Sequence, residues 1–227
     1  DQPIRDVVTM ANVKARSFRV DYATRESAEE LEVTWSDRDN GWLPASVRMM
    51  APGVTAPRDT ARYAPLGVST QSAGLTLGRF SMAQNIYQRK SVSWEMDLEH
   101  VTVPRYSLLR MSHDLTQWGR SGRVANCQTV AGVVTLTLDE VVPYTPGAGG
   151  HFIGLRIPGE LGYRVFEVAA FSGESREVEL VGAWPAGVAK PGDASDNPTH
   201  DTLWIYDFQS QPGQRFRVVT IEPSQDM

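Results

Sequence analysis

The 227-residue chain has a single cysteine, Cys127, so no disulfide can form within it and a cysteine-rich zinc site is excluded. Cys127 lies in the run Val124-Ala125-Asn126-Cys127 with no cation beside it in sequence. It reads as a small buried hydrophobe and not as a reactive thiol. Basic residues are outnumbered, 22 Lys and Arg against 27 Asp and Glu, and they are scattered along the chain. That balance argues against nucleic acid as a partner, because phosphate binding draws its affinity from clustered cations. No apolar run approaches the roughly 18 to 20 residues that a membrane-spanning helix needs, so no membrane insertion is expected. Repeats, heptads and low-complexity tracts are missing as well.

What is present is alternation. Ser17–Tyr22, Leu31–Trp35, Trp42–Met49 and Ser91–Glu99 place apolar residues at every second position, the mark of strands with one dry face. One segment, about Thr70 to Lys90, has a helical period instead. Ala73, Leu77, Phe80, Ala83 and Tyr87 form its stripe, widened by Leu75, Met82 and Ile86. Ser69 or Thr70 is placed to cap it, and Gly74 and Gly78 would let it lie close on a sheet. After residue 100 the runs shorten: Ser107–Met111, Gly122–Thr129, Val133–Leu138, Phe152–Ile157, Arg164–Ala170, Arg176–Val181, Thr202–Phe208 and Arg215–Ile221. Turn residues separate them, as in a small all-β barrel or sandwich. Pro143–Gly150 and Pro185–Pro198 read as mobile surface loops. The expected fold is mainly β (α+β): an antiparallel sheet with one long helix packed on it, plus a small β-barrel or sandwich domain.

Candidate chemistry is tested by spacing. Asp37, Asp39 and Asn40 could suggest a calcium loop, but counting from Asp37 puts Gly41 at position 5 and Arg48 at position 12. An EF-type loop needs glycine at 6 and glutamate at 12. Asn40-Gly41 between alternating runs predicts a hairpin turn, with both residues suited to positive φ and Trp35 and Trp42 in the flanking strands. Glu95, Asp97 and Glu99, followed by His100, fall on one face of a strand and read as its solvated side, opposite Val92, Trp94, Met96 and Leu98. The run from Gly147 to His151 cannot be a dinucleotide loop, because the third glycine position is Phe152 and no helix follows. His113-Asp114 is adjacent, yet His100, His113, His151 and His200 are dispersed and no nucleophile elbow, HExxH or phosphate loop occurs. Trp118 and Trp204, near Arg120 and Tyr206, could form a stacking surface for sugars but fit core positions better. The sequence offers no catalytic, cofactor-binding or metal-ligating residues, and a non-enzymatic protein is expected.

The order of motifs is more informative than any one of them. EELEVTWSDRDNGWLPASVRM (29–49) is followed by APLGVST at 64–70, the helix, and SVSWEMDLEHVTVPRYSLLRMSHD (91–114). SGRV (121–124), VTLTLDEVV (134–142) and QRFRVVTIEP (214–223) come next. This series resembles the hub region of lambda-type phage tail tip proteins, the host specificity protein J family, over about residues 10 to 223. The family's landmarks include a D-x-x-x-x-W hairpin, here Asp37 to Trp42. Departures exist: the Gly-Asp that leads into the family's barrel reads Tyr106-Ser107, and the acid after it appears as His113-Asp114.

The resemblance implies a virion structural protein, a baseplate-type hub made in the bacterial host cytoplasm and carried in the virion tail. Its partners would be tail tube, distal tail and tip subunits, with three copies around the tail axis and no cofactor. It implies a segment of a longer polypeptide, since Asp1 opens the chain and the family continues past its end. It also implies an inserted barrel, 101–211, with 1–100 and 212–227 forming an α+β hub domain, so that Arg215–Ile221 returns to pair near Ser91–Glu99. Two other readings remain open. One is a carbohydrate-binding or cell-wall-acting tail module, for which six tryptophans are available; the other is a hub-like part of a gene transfer agent or secretion device.

Overall fold

The computed structural model describes residues 2–22, 28–97, 101–116, 118–147, 149–160 and 162–223. The fold is mainly β, with one helix packed on a sheet and a six-stranded sheet curled into a half-barrel. Contacts divide the chain into two compact units, Asp1–Phe18 with Trp94–Met227, and Arg19–Ser93. The first unit opens with β1 (Ile4–Val8), and the chain then builds the second unit before returning.

The second unit contains β2 (Arg19–Tyr22), β3 (Glu30–Asp37), β4 (Leu43–Met50), β5 (Thr60–Tyr63), α1 (Gln71–Tyr87) and β6 (Lys90–Ser93). β3 lies between antiparallel β4 and parallel β5. Its alternation works as expected: Leu31, Val33 and Trp35 are buried on the face covered by α1. On the other face Glu32 lies under two guanidiniums, Arg48 at 3.4 Å and Arg62 at 3.3 Å. Thr70 caps α1, its side chain accepting the Ala73 amide.

The helix turns only one edge of its expected stripe to the sheet. Met82 is buried and Ile86 packs on the same core, but the other buried positions are Gly74 and Gly78, while Phe80 and Tyr87 are 52% and 75% exposed. The reason is steric. A Cβ built at Gly78 would stand 2.7 Å from Val33 Cγ2, and one at Gly74 would stand 3.1 Å from the Trp35 ring. The spacing of four keeps both glycines on one face, and the lack of side chains there lets the helix backbone approach the β3 residues. The expected strand Ser91–Glu99 is also shorter: β6 stops at Ser93 and pairs with β2. Leu98, Glu99 and His100 lie outside the described residues.

In the first unit β7 (Leu108–Met111) lies between β1, parallel to it, and β14 (Gln214–Arg217), antiparallel to it. The return strand therefore pairs with Leu108–Met111 and not with Ser91–Glu99, which corrects the expected register. The contacts likewise draw a partition different from 1–100 with 212–227 against 101–211. The physical cause lies in which strands take the neighbouring edges. Ile4–Val8 ends in three consecutive buried residues and takes one side of β7, while Ser91–Ser93 is engaged by Arg19–Asp21.

Six strands lie between β7 and β14 in the chain: β8 (Arg120–Val130), β9 (Val133–Pro143), β10 (His151–Arg156), β11 (Arg164–Val168), β12 (Glu174–Glu179) and β13 (Leu203–Asp207). Their order is β11-β10-β13-β8-β9-β12. The sheet curls until its edge strands meet at a Val168–Leu180 bridge, with Ala169 donating to Glu179 O and Val181 to Glu167 O at 2.8 Å each. Register shifts between Val124 and Asn126 and between Ser175 and Glu177 supply the bend. Alternate residues Val134, Leu136, Leu138, Ile153, Leu155, Trp204 and Tyr206 fill the interior. Cys127 packs against this core, and burial raises its thiol pKa.

The segment Pro185–Pro198 is tied down, in contrast to the mobile loop its composition suggests. Trp184 Nε1 donates to Val188 O, Asn197 Nδ2 to Lys190 O and Lys190 Nζ to Thr129 Oγ1, at 2.9, 2.7 and 3.0 Å. Among the described residues no helix is long and apolar enough to cross a membrane.

Candidate functional site

The polar knot at 37–42 is a turn built by its own side chains. Asp37 accepts the Asp39 amide through its carboxylate at 3.2 Å and the Trp42 amide through its carbonyl at 2.7 Å. Arg38–Asn40 form a single 3-10 turn, and the positive φ values fall on Gly41 (62°) and Trp42 (63°). Asn40 therefore does not occupy the left-handed position expected of it, and Trp42 is an exposed turn residue just outside β4. The extra residues between the paired ends Asp37 and Leu43 make this a five-residue loop, which the Asp37 side chain closes.

The other candidates also resolve into architecture. Asp97 pairs with Lys14 at 3.2 Å, and the Glu95 amide donates to Ser17 Oγ at 3.0 Å. His113 stacks on Phe18 with centroids 3.8 Å apart, and its Nδ1 accepts the Leu115 amide. Burial lowers its pKa, with Asp114 opposing. His151 is buried against Tyr144, and its Nε2 accepts the Thr145 amide at 3.2 Å. Trp118 leans on Phe216 at 5.1 Å, and Trp204 is fully buried and offers nothing to a sugar. The described residues contain no group of three metal-ligating side chains.

A polar cleft of about 380 Å³ is walled by Arg123, Arg156, Glu160 and Asp201 around the turn 157–159. Arg156 forms a largely buried pair with Asp6 at 2.7 Å. Arg123 donates to the carbonyls of His200 and Ala11 at 2.8 and 3.1 Å. Glu160 is held by Arg164 at 2.8 Å, and Asp201 faces His200 at 3.4 Å. The cleft's charges are thus turned on the protein's own groups, an arrangement that fixes loops and leaves no nucleophile beside a base. Sequence reading missed the Asp6–Arg156 pair, because 150 residues separate its members and neither lies in a recognisable motif.

Two of the sequence landmarks form one device. Asp139, which ends TLTLD, accepts the Arg123 amide at 2.8 Å and the Trp204 indole N–H at 2.9 Å. Gly122, from SGRV, leaves the space for it: a Cβ there would stand 2.2 Å from Asp139 Oδ1. Gly122→Ala is expected to push the carboxylate out and lose both bonds, at a cost of about 1–2 kcal/mol. Urea melts check this: Asp139→Ala should cost a similar amount, and the double variant should cost far less than the sum.

Asp207 forms a second such knot. It is buried and accepts the Phe208 amide at 2.8 Å, with further bonds from Gln209 and Gly213. Burial outweighs these bonds and raises its pKa. The native state then holds its proton more tightly than the unfolded chain, so the contribution of this group to stability falls as pH rises from the unfolded value, about 3.9. Asp207→Asn removes that slope. The melting temperature of the variant relative to the parent should increase between about pH 4 and pH 7; a constant difference contradicts the assignment.

No protein-family model matches the chain, and no curated protein is significantly similar to it in sequence.

Proposed function

We propose that the chain is a structural, non-catalytic segment of a phage or prophage tail tip, a hub piece linking the tail tube to the host-attachment apparatus. The observation that carries this reading is the ordered series of landmarks at 37–42, 70–90, 121–124, 134–142 and 214–223. Support comes from what those residues do. The Asp37 turn, the Gly74–Gly78 helix face and the Gly122–Asp139 clamp are each occupied in holding backbone. β14 also closes onto β7, where the chain leaves for the barrel strands, as a return strand should. In this reading the partners are tail tube, distal tail and tip subunits, with three copies around the tail axis. The protein is made in the host cytoplasm and ends in the virion tail, without cofactor or nucleic acid.

The test is immunogold electron microscopy with antibody raised against the 227-residue chain. Particles released by the strain that encodes it should carry gold at the tail tip. Gold on cell envelopes with none on particles would remove the reading.

A further inference from the structure

β4 is an outer strand of eight residues whose one sheet neighbour is β3. The Ala51 amide donates to Glu29 O at 2.8 Å, one step beyond the Glu30–Met50 pair. Hydrogen-bonded pairs alternate along an antiparallel ladder, so Leu43, Ala45, Val47 and Met49 turn their backbone groups to β3. Pro44, Ser46, Arg48 and Met50 turn theirs outward. Pro44, which has no N–H to give to β3, falls in the outward set, where a proline is tolerated. Among the described residues these outward groups make no backbone bond.

An edge of this length is commonly guarded by a bulge or by free charge. Here the register with β3 is unbroken, and Arg48 is already turned to Glu32 at 3.4 Å. The ends of the edge are apolar instead. Trp42 and Leu43 at one end and Met50 at the other are 62%, 58% and 50% exposed. Val47 and Met49, between them, are half-buried beside α1.

We infer that this edge binds a second copy of the chain, β4 against β4, about a two-fold axis at Val47. The strand is complementary to itself in that placement. Ser46 faces Arg48 of the second copy and Met50 faces Pro44, so each outward N–H meets a carbonyl inside the other β4. Directly opposed residues share a face, which sets Val47 beside Val47 and Ala45 beside Met49 on the helix side. The Trp42–Leu43 end of one copy meets the Met50–Ala51 end of the other, and the exposed apolar side chains cover one another. Each Arg48 keeps its own Glu32 and stands opposite a serine, whereas an axis at Arg48 would oppose two guanidiniums. One Trp covers about 150–250 Å². With Trp42, Leu43, Met50 and the strand backbones of both copies the contact reaches about 1,000 Å², the least that a specific pair needs. The inference rests on the β4 edge alone and stands or falls separately from the tail-tip reading, whose three copies meet through other surfaces.

The test is sedimentation equilibrium of the whole 227-residue chain between about 1 and 300 μM, the range a contact of this size calls for. A monomer–dimer equilibrium is expected. Ser46→Pro removes an N–H that β3 does not use and should weaken the dimer about tenfold or more. Ser46→Glu sets a carboxylate opposite Arg48 of the second copy, twice by symmetry. It should tighten the dimer about two- to tenfold at low salt, and 1 M salt should erase that gain. Thermal melts show whether each variant is folded, and Ser46→Glu carries the test if the proline variant is not. A monomer at every concentration overturns the inference. So does a folded Ser46→Pro that dimerises like the parent, or a Ser46→Glu that does not tighten. A trimer also overturns it, because an isologous edge contact closes at two copies.

Discussion

Replacing Trp204 with alanine is expected to cost about 3–5 kcal/mol, the range for emptying a large aromatic site in a close-packed core. Trp204 is fully buried at the centre of the barrel strands, on β13 between β10 and β8. Around it pack Val124, Leu138, Leu155 and the other interior residues, so the cavity cannot collapse without moving several strands. The indole also donates to Asp139 and to Arg123 O, at 2.9 and 3.0 Å. Deletion therefore leaves the Asp139 clamp half-used as well. Since a domain is stable by only about 5–15 kcal/mol in all, the variant should lose most of its cooperative unfolding transition, read by near-ultraviolet circular dichroism. Trp204→Phe keeps most of the volume and loses the donor, and should fall between the two. A parent-like melt for Trp204→Ala would mean that the barrel core is assigned to the wrong residues.

The second large effect is expected at Gly78. A leucine there gains about 1 kcal/mol of helix propensity but must enter space held by Val33 Cγ2, 2.7 Å from the new Cβ, and by Met49. Met49 is flexible and can swing aside; Val33 is fully buried and cannot. Overpacking of this kind costs typically about 1–3 kcal/mol, and at this site a value near the top of that range is expected. Gly74→Ala is the control. Its Cβ would meet the Trp35 ring at 3.1 Å, a contact that a small shift relieves. The helix gain of about 1 kcal/mol should then leave stability close to the parent. A Gly78→Leu protein as stable as Gly74→Ala would place the helix further from β3 than described.

These two sites also show what could be read from the sequence. Alternation reports which residues of a strand share a face, so β3 was legible with its core residues, and most barrel strands were legible as short runs. Helical period reports a stripe, but it scores large side chains, and here the contact face is marked by their absence. Gly74 and Gly78 were legible as a means of close approach; that they were the interface was not. The hairpin at 37–42 was legible from its turn residues. The positive φ at Trp42 was not, because the loop length depends on the Asp37 side chain closing it. β1 and β5 are four or five residues long, too short for a period to show. Their parallel pairings, β1 with β7 and β5 with β3, leave no turn signal between partners. The partner of β14 was misread for the same reason, since it depended on where β1 and β2 went. Among candidate sites, spacing removed the calcium and dinucleotide readings; in the structure Asp37 closes its own turn and His151 begins β10.

The proposed place of the chain in a tail tip is put to the test by removing it. An in-frame deletion of the codons for residues 1–227 in the encoding strain should yield tailless particles or tails without a tip in negative-stain micrographs. Restoring the segment should restore both tips and plating. Particles with intact tips and unchanged plating after the deletion would contradict the account.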